Sequence, residues 1–156
     1  MACTIHSDEI KRLSAQGISN TNGSDLFTIH VLTNNGALSH TLLSPKRHVE
    51  KEYRFECAEP LPENAEAAFL GGITLRDGYE CKPSELVCDP DRLGGYITLT
   101  EGKYHQIKRM IASFGNAVTR LERVRFAGIP LDRSLSRGEW RFLTDGEIEA
   151  LEDMAK

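Results

Sequence analysis

Cysteine is scarce and scattered. The four stand at 3, 57, 81 and 88, with no Cys-x-x-Cys pair and no Cys/His cluster. Neither a zinc site nor a compact disulfide framework is expected, and no metal site is assigned. The thiols read as reduced, some of them buried as small hydrophobes. No apolar run approaches the ~18 residues of a membrane helix, so no membrane partner is expected. The opening Met1-Ala-Cys-Thr-Ile-His-Ser-Asp-Glu9 is polar and acidic. It lacks the basic start and apolar stretch of a secretion signal, which points to the cytoplasm. There is no internal repeat, no low-complexity segment and no glycine-rich phosphate loop. A cationic excess is missing too: the net charge is −4, which on average argues against a nucleic-acid binder.

What is present is a globular composition. The 156 residues are 40% hydrophobic and 27% charged. That suits one domain, or one domain with a small appendage, and is unlike disorder, collagen or a coiled coil. The charge is unevenly placed. Lys103, Lys108, Arg109, Arg120, Arg123 and Arg125 face only Glu122 between 102 and 125, whereas acids dominate from 144 onward. Because the Debye length is only ~8 Å in physiological salt, a local basic face can hold phosphates on an acidic chain.

Periodicity and breakers give a coarse element order. Ser7 is placed to cap a short helix from Asp8 to about Gln16, followed by a loop over 17–24. Leu26–Thr33 reads as a strand, Asn34-Asn35-Gly36 as a turn, and Ala37–Leu43 as a short helix ended by Ser44-Pro45. Glu52–Ala58 alternates, with Tyr53, Phe55 and Cys57 on one face. Pro62–Leu70 is predicted helical, with Gly71-Gly72 past its end. Ile73–Leu75, Gly78–Cys81, Glu85–Cys88 and Tyr96–Glu101 are strand candidates. His105–Phe114 puts Ile107, Met110, Ile111 and Phe114 on one stripe, stopped by Gly115-Asn116. Val118–Val124 and Trp140–Leu143 are strands. Thr144 and Glu147 form a capping box for a last helix to about Met154, with Leu143 and Ile148 as a hydrophobic staple. Strands outnumber helices without strict alternation. The fold class is therefore α+β, a mainly antiparallel sheet with flanking helices.

The most distinctive stretch is Glu101-Gly-Lys-Tyr-His-Gln-Ile-Lys-Arg-Met110. Gly102 permits a tight turn, Lys103, His105, Lys108 and Arg109 cluster at the helix start, and Ile107 and Met110 anchor it. One basic side chain can then face a cleft while others meet phosphates. This stretch resembles the third motif of the RsuA-type pseudouridine synthases, which modify uridines in ribosomal RNA. The resemblance continues through Gly115-Asn-Ala-Val118, Leu121-Glu-Arg123, Gly128-Ile-Pro-Leu131, Leu135 and Gly138-Glu-Trp-Arg-Phe-Leu-Thr144. Backwards it takes in Leu32-Thr-Asn-Asn-Gly36, Ser39-His40, Ser44-Pro-Lys46, Glu50-Lys-Glu-Tyr53 and Gly71 to Pro83. It covers the chain from near Asp25 to about Leu151, and the Tyr-His-Gln-Ile-Lys version looks most like the small-subunit branch.

The resemblance implies a pseudouridine synthase-like catalytic domain over 25–156, with residues 1–24 unassigned. In that family an Asp attacks the uridine, in a motif Arg-Leu-Asp-x-x-Thr-x-Gly-Leu. Asp25 and Thr28 match Asp-x-x-Thr, so Asp25 is the candidate catalyst. The motif's Arg and Gly are absent, and Asp25 lies two residues closer to the Asn34-Asn35-Gly36 turn than the family's Asp. An ungapped alignment sets Gly23 at that position instead. Tyr53 matches the Tyr that stacks on the target base. Lys108 matches the basic residue that pairs with the Asp and keeps it ionised. Ile107 lines the pocket. Lys46, Arg47, Lys103, His105 and Arg109 are candidates for holding the RNA, its phosphates above all. The carboxylate acts as covalent nucleophile or by proton abstraction, on a base flipped from its stack. No metal or organic cofactor is expected. The implied partner is ribosomal RNA of the small subunit, met by a monomer. The family's N-terminal RNA-binding module and the two strands before the Asp motif have no counterpart in the first 24 residues. That leaves a second reading, a non-catalytic RNA-binding remnant or fragment of such an enzyme. A third is an unrelated α+β interaction domain.

Overall fold

The computed structural model describes residues 12–19, 25–33, 35–135 and 140–156, with the backbone path alone over 12–28 and at 140. Among these residues eight strands share one sheet. They are β1 (Arg12–Ser19), β2 (Asp25–Leu32), β3 (Lys51–Cys57), β4 (Glu85–Cys88), β5 (Gly94–Leu99), β6 (Val118–Phe126), β7 (Ile129–Pro130) and β8 (Trp140–Arg141). The helices are α1 (Gly36–Leu43), α2 (Ala65–Gly71), α3 (Gln106–Ala112) and α4 (Asp145–Ala155). The strand order is β4-β5-β3-β6-β2-β1-β8, with β7 paired to β6. Every pairing is antiparallel except β2 with β6, which run parallel. The α+β class with a mainly antiparallel sheet is observed, with one parallel seam near the middle.

Local chemistry sets most boundaries. Asn35 Oδ1 accepts the Leu38 amide at 3.1 Å and caps α1. Pro45 ends that helix, and Ser44 O then accepts the Arg47 amide at 3.0 Å in a turn with proline at its second position. Gly72 follows α2 at φ +84, where a side chain would meet the Cys81 carbonyl. Thr144 and Glu147 make the expected reciprocal box at the start of α4.

Several expectations are corrected. The helix from Asp8 to Gln16 does not form over its described part. Residues 12–16 belong to β1, which pairs with β2 from Arg12↔Leu32 to Ser19↔Asp25 and with β8 on its other side. A short helix with a marginal nucleus loses to a strand with partners on both edges. Ser7 and residues 20–24 lie outside the described residues. Ile73–Leu75 and Gly78–Cys81 are not strands: a single bridge, Thr74↔Glu80, spans a turn at 76–78. The helix expected from Pro62 starts at Ala65, with Pro62 O accepting the Ala65 amide at 3.0 Å. β5 begins two residues before Tyr96, at Gly94. Its glycines let the strand pass close to the Phe55 and Val87 carbonyls, where side chains would collide.

Two apolar clusters result. One gathers Phe55, Leu61, Phe69, Leu86, Ile97, Ile107, Met110 and Ile111 under α2 and α3. The other gathers Ile29, Val31, Leu38, Leu42, Phe126, Ile129, Leu143 and Leu151 under α1 and α4. The staple residues Leu143 and Ile148 both belong to the second.

Candidate active site

β3 and β6 bring the site together. Tyr53 pairs across the sheet with Ile97 on β5 and with Arg123 on β6. Arg123 pairs in turn with Thr28 on β2. Thr28, Arg123 and Tyr53 thus lie in one row across three strands. Asp25 opens β2, one residue before the Leu26↔Leu121 pair. Its side chain lies outside the described residues. Tyr53 is half-buried against the first cluster. α3, packed on β6, contributes Ile107, which is buried, and Lys108, which is half-buried.

Two cations that the sequence reading placed only in the basic face or a matched motif, without a site role, stand here. Arg123 donates its Nε and Nη2 to the Ile29 carbonyl at 3.2 and 2.6 Å, and its guanidinium lies 5.6 Å from the Phe126 ring centroid. It bridges the strand of Asp25 to the strand facing Tyr53. Lys51 lies two residues before Tyr53 on β3, so the strand alternation puts it on the same face. Burial pushes its amine below the usual lysine range, the neighbouring Arg123 charge pushes it further, and Glu101 opposes both. The signal in the sequence was that spacing from Tyr53. His30 is half-buried as well, with its Nε2 buried and unpartnered. Burial and then Arg123 hold it below the usual histidine range. The repulsion between half-buried Lys51 and Arg123 favours an anion near them.

A buried carboxylate fixes the turn that leads into α3. Glu101 Oε2 accepts the Tyr79 hydroxyl at 2.6 Å. Its Oε1 accepts the Lys82 amide and the Gln106 side-chain amide, both at 2.8 Å. Burial alone would raise this carboxyl, but the three donors outweigh it and hold it below the ordinary value. The basic residues spread along the same edge. Lys103 Nζ lies 4.9 Å from the Tyr79 ring centroid. Lys82 Nζ reaches the Pro45 carbonyl at 3.4 Å, which brings the turn carrying the exposed Lys46 and Arg47 alongside. Lys103 and His105 are exposed. Arg109 is ion-paired with Asp77, so its guanidinium is shared between the fold and any ligand.

The other buried carboxylate, Glu122, is engaged by Arg120 at 2.7 Å and Arg133 at 3.2 Å. Both of these carboxylates, the buried ones among the described residues, are taken up by partners within the fold. Burial pushes the described thiols up, Cys88 to about 11, which makes them poor nucleophiles at neutral pH. Among the described residues no cluster of His, Cys, Asp and Glu could hold a metal ion, and no helix is long and apolar enough to cross a membrane.

No protein-family model matches the chain. A crystal structure of a pseudouridylate synthase has a TM-score of 0.82 to it at 32% identity, covering 94% of this chain and 75% of that one. The chain belongs to the pseudouridine synthase family. Within it, ribosomal small subunit pseudouridine synthase A of Haemophilus influenzae is 45% identical over 129 residues, 81% of this chain and 55% of that protein. The protein of the same name from Escherichia coli is 38% identical over 129 residues, with the same coverage of 81% and 55%. An uncharacterized RNA pseudouridine synthase of Bacillus subtilis is 37% identical over 126 residues, 79% of this chain and 53% of that protein. The chain spans about half the length of the curated relatives it matches.

Proposed function

We propose that the chain isomerises a uridine of ribosomal RNA to pseudouridine, with small-subunit RNA as its substrate. The observation that carries this reading is the row Thr28, Arg123 and Tyr53, which joins the strand of Asp25 to the strand of Tyr53 beside α3. Asp25 serves as the carboxylate, Lys108 pairs with it, Tyr53 stacks on the target base and Ile107 walls the pocket. Lys51 and Arg123 favour an anion there, whether the carboxylate or a phosphate of the flipped nucleotide. The bond from ring nitrogen to ribose breaks, a carbon–carbon bond forms, and the carbon's proton passes to the freed nitrogen. The reaction balances without oxidant, reductant, metal or organic cofactor.

Lys46, Arg47, Lys103, His105 and Arg109 hold the RNA and supply affinity more than sequence choice. Residues 25–156 form the catalytic domain, working as a monomer in the cytoplasm, and β1 extends its sheet.

The test is pseudouridine formation in small-subunit ribosomal RNA and in the assembled subunit. The unmutated chain converts its uridine; Asp25→Asn abolishes turnover and leaves RNA binding intact. A fully active Asp25→Asn variant would remove Asp25 from the mechanism. The second reading, a non-catalytic RNA-binding remnant, is favoured by the missing Arg and Gly of the Asp motif. It prevails if the unmutated chain binds RNA and converts nothing.

A further inference from the structure

Residues Lys103 to Gln106 form a turn closed twice. The Gln106 backbone amide donates to the Lys103 carbonyl at 3.1 Å, and the Lys103 amide donates to Gln106 Oε1 at 2.9 Å. Gln106 is buried and bonded to Glu101, so the base of the turn is fixed to the core. Its tip is Tyr104 and His105. Turn tips ordinarily carry Gly, Asn or Asp, which tolerate the backbone required. Here His105 sits at φ +48, with no capping hydrogen bond from its side chain. Tyr104 is 78% exposed, more than any other large hydrophobic side chain among the described residues. The two rings stack on each other, with centroids 3.9 Å apart and planes 17° from parallel.

This arrangement contributes little to folding. An apolar ring stabilises a fold by leaving water, and Tyr104 has not left it. A left-handed backbone at a residue other than glycine is a cost that persists only where surrounding structure imposes it, and such costs gather at ligand contacts. The cage around Glu101 and Gln106 imposes it. One face of Tyr104 is covered by His105, and the other is open. Cations stand near the base of the turn: Lys103 adjoins the tip in the chain with its ammonium over Tyr79, and Lys82, whose amide shares Glu101 Oε1 with Gln106, reaches the turn of Lys46 and Arg47. An open aromatic face beside ammonium groups matches a single-stranded nucleotide, whose base stacks while its phosphates meet the cations.

We propose that Tyr104 and His105 form a stacking platform for an unpaired nucleobase flanking the nucleotide that enters the site. The proposal rests on the RNA-modifying reading above. It differs in kind from the contacts of Lys46 and Arg47, which recognise charge and are blind to whether a base is present.

The test compares two labelled probes by fluorescence anisotropy, a short oligouridylate and an oligomer of equal length and charge with the bases removed. The 156-residue chain is used throughout, with a small-subunit ribosomal RNA transcript as a further probe. Tyr104→Ala weakens binding of the oligouridylate and the transcript about 10-fold, the range of one lost base stack. It leaves the abasic oligomer unaffected, and the thermal midpoint does not move because the side chain is exposed. Tyr104→Phe restores binding, since the ring rather than the hydroxyl carries the contact. Lys46→Ala weakens both oligomers alike. The platform is overturned if Tyr104→Ala binds all probes as the unmutated chain does, or loses the abasic oligomer equally. An unmutated chain that binds none of the probes overturns the RNA-modifying reading and the platform with it.

Discussion

The core under α2 and α3 and the core under α1 and α4 are each tied off by a polar cluster, but the clusters are of opposite kinds. Around Glu101 the donors are a hydroxyl, a backbone amide and a side-chain amide, all uncharged. Around Arg141 the partners are charges. Its guanidinium meets Asp132 at 2.6 Å and Glu147 at 2.8 Å, and the three side chains are 20–30% exposed. A cage of neutral donors depends on shape and little on salt, because each lone pair has a directed partner. A half-exposed clamp of charges depends on ionisation and is screened. The cage stands where the turn into α3 needs one fixed geometry. The clamp ties the β7–β8 connection to α4.

The largest effect is expected from breaking the cage. Glu101→Ala leaves buried donors unpaired and opens a cavity, a loss of about 3 kcal/mol. Chemical denaturation measures it, and RNA binding falls with it because the turn of Tyr104 and His105 loses its base. Glu101→Gln is the sharper probe. Its carbonyl can sit at the Oε1 position and keep both amide donors, while its NH2 meets the Tyr79 hydroxyl, which can turn to accept. This variant is expected to lose about 1 kcal/mol or less. A Gln variant as unstable as the Ala variant would mean that the negative charge, rather than the set of lone pairs, holds the turn.

The clamp is the next largest. Arg141→Ala removes charge-assisted hydrogen bonds to two carboxylates, and after solvent screening the loss is about 1.5 kcal/mol. Its signature is in acid. Hydrogen bonds from Ser134 and then Arg141 hold Asp132 down to about 2, below its ordinary 3.8. Arg141 likewise lowers Glu147 from 4.5. Carboxylates depressed on folding stabilise fully above their ordinary values and lose that contribution as pH falls through the depressed ones. The unmutated chain therefore loses stability between about pH 4.5 and 2, and Arg141→Ala shows a shallower slope in that window. The flattening is partial, because Ser134 still holds Asp132. An unchanged slope would show that the clamp does not govern the acid limb.

The same contrast explains what the sequence made legible. The stripe of Ile107, Met110 and Ile111 is buried as its spacing requires, and so are Phe55 and Cys57 on the alternating strand. Those are local signals, as is the Thr144 box; the turn read over 34–36 includes Asn34, which lies outside the described residues. The fold class followed from such local signals, whereas Tyr53, Ile107 and Lys108 were singled out by the resemblance of their motifs. The parallel seam of β2 and β6, the row through Arg123, the pressure on Lys51 and the cage around Glu101 all arise from residues far apart in the chain. No window of sequence contains them. β1 was misread for the same reason: Leu13 to Ile18 carries no strong period of its own, and its strand identity comes from β2 and β8. The Tyr104 turn lay in plain view within the most distinctive motif. There the hydrophobic stripe and the charges drew attention to Ile107 and Lys108, and an aromatic residue at a turn tip carries no periodic signal.

The smallest expected effect isolates the cap from the clamp. Thr144 Oγ1 accepts the Glu147 amide at 3.3 Å, and Glu147 Oε2 accepts the Thr144 amide at 2.9 Å while also taking Arg141 Nη1 at 2.9 Å. Glu147 therefore belongs to both devices. Thr144→Ala removes the hydroxyl together with an exposed methyl group, leaves one amide of the first turn of α4 unpaired, and costs about 1 kcal/mol. If cap and clamp act independently, Thr144→Ala and Arg141→Ala add in denaturant melts. If Glu147 couples them, the double variant loses less than the sum, because once one device is gone Glu147 has less left to hold. The shared carboxylate favours the coupled outcome, and strict additivity would show that Glu147 makes its two contacts without one reinforcing the other.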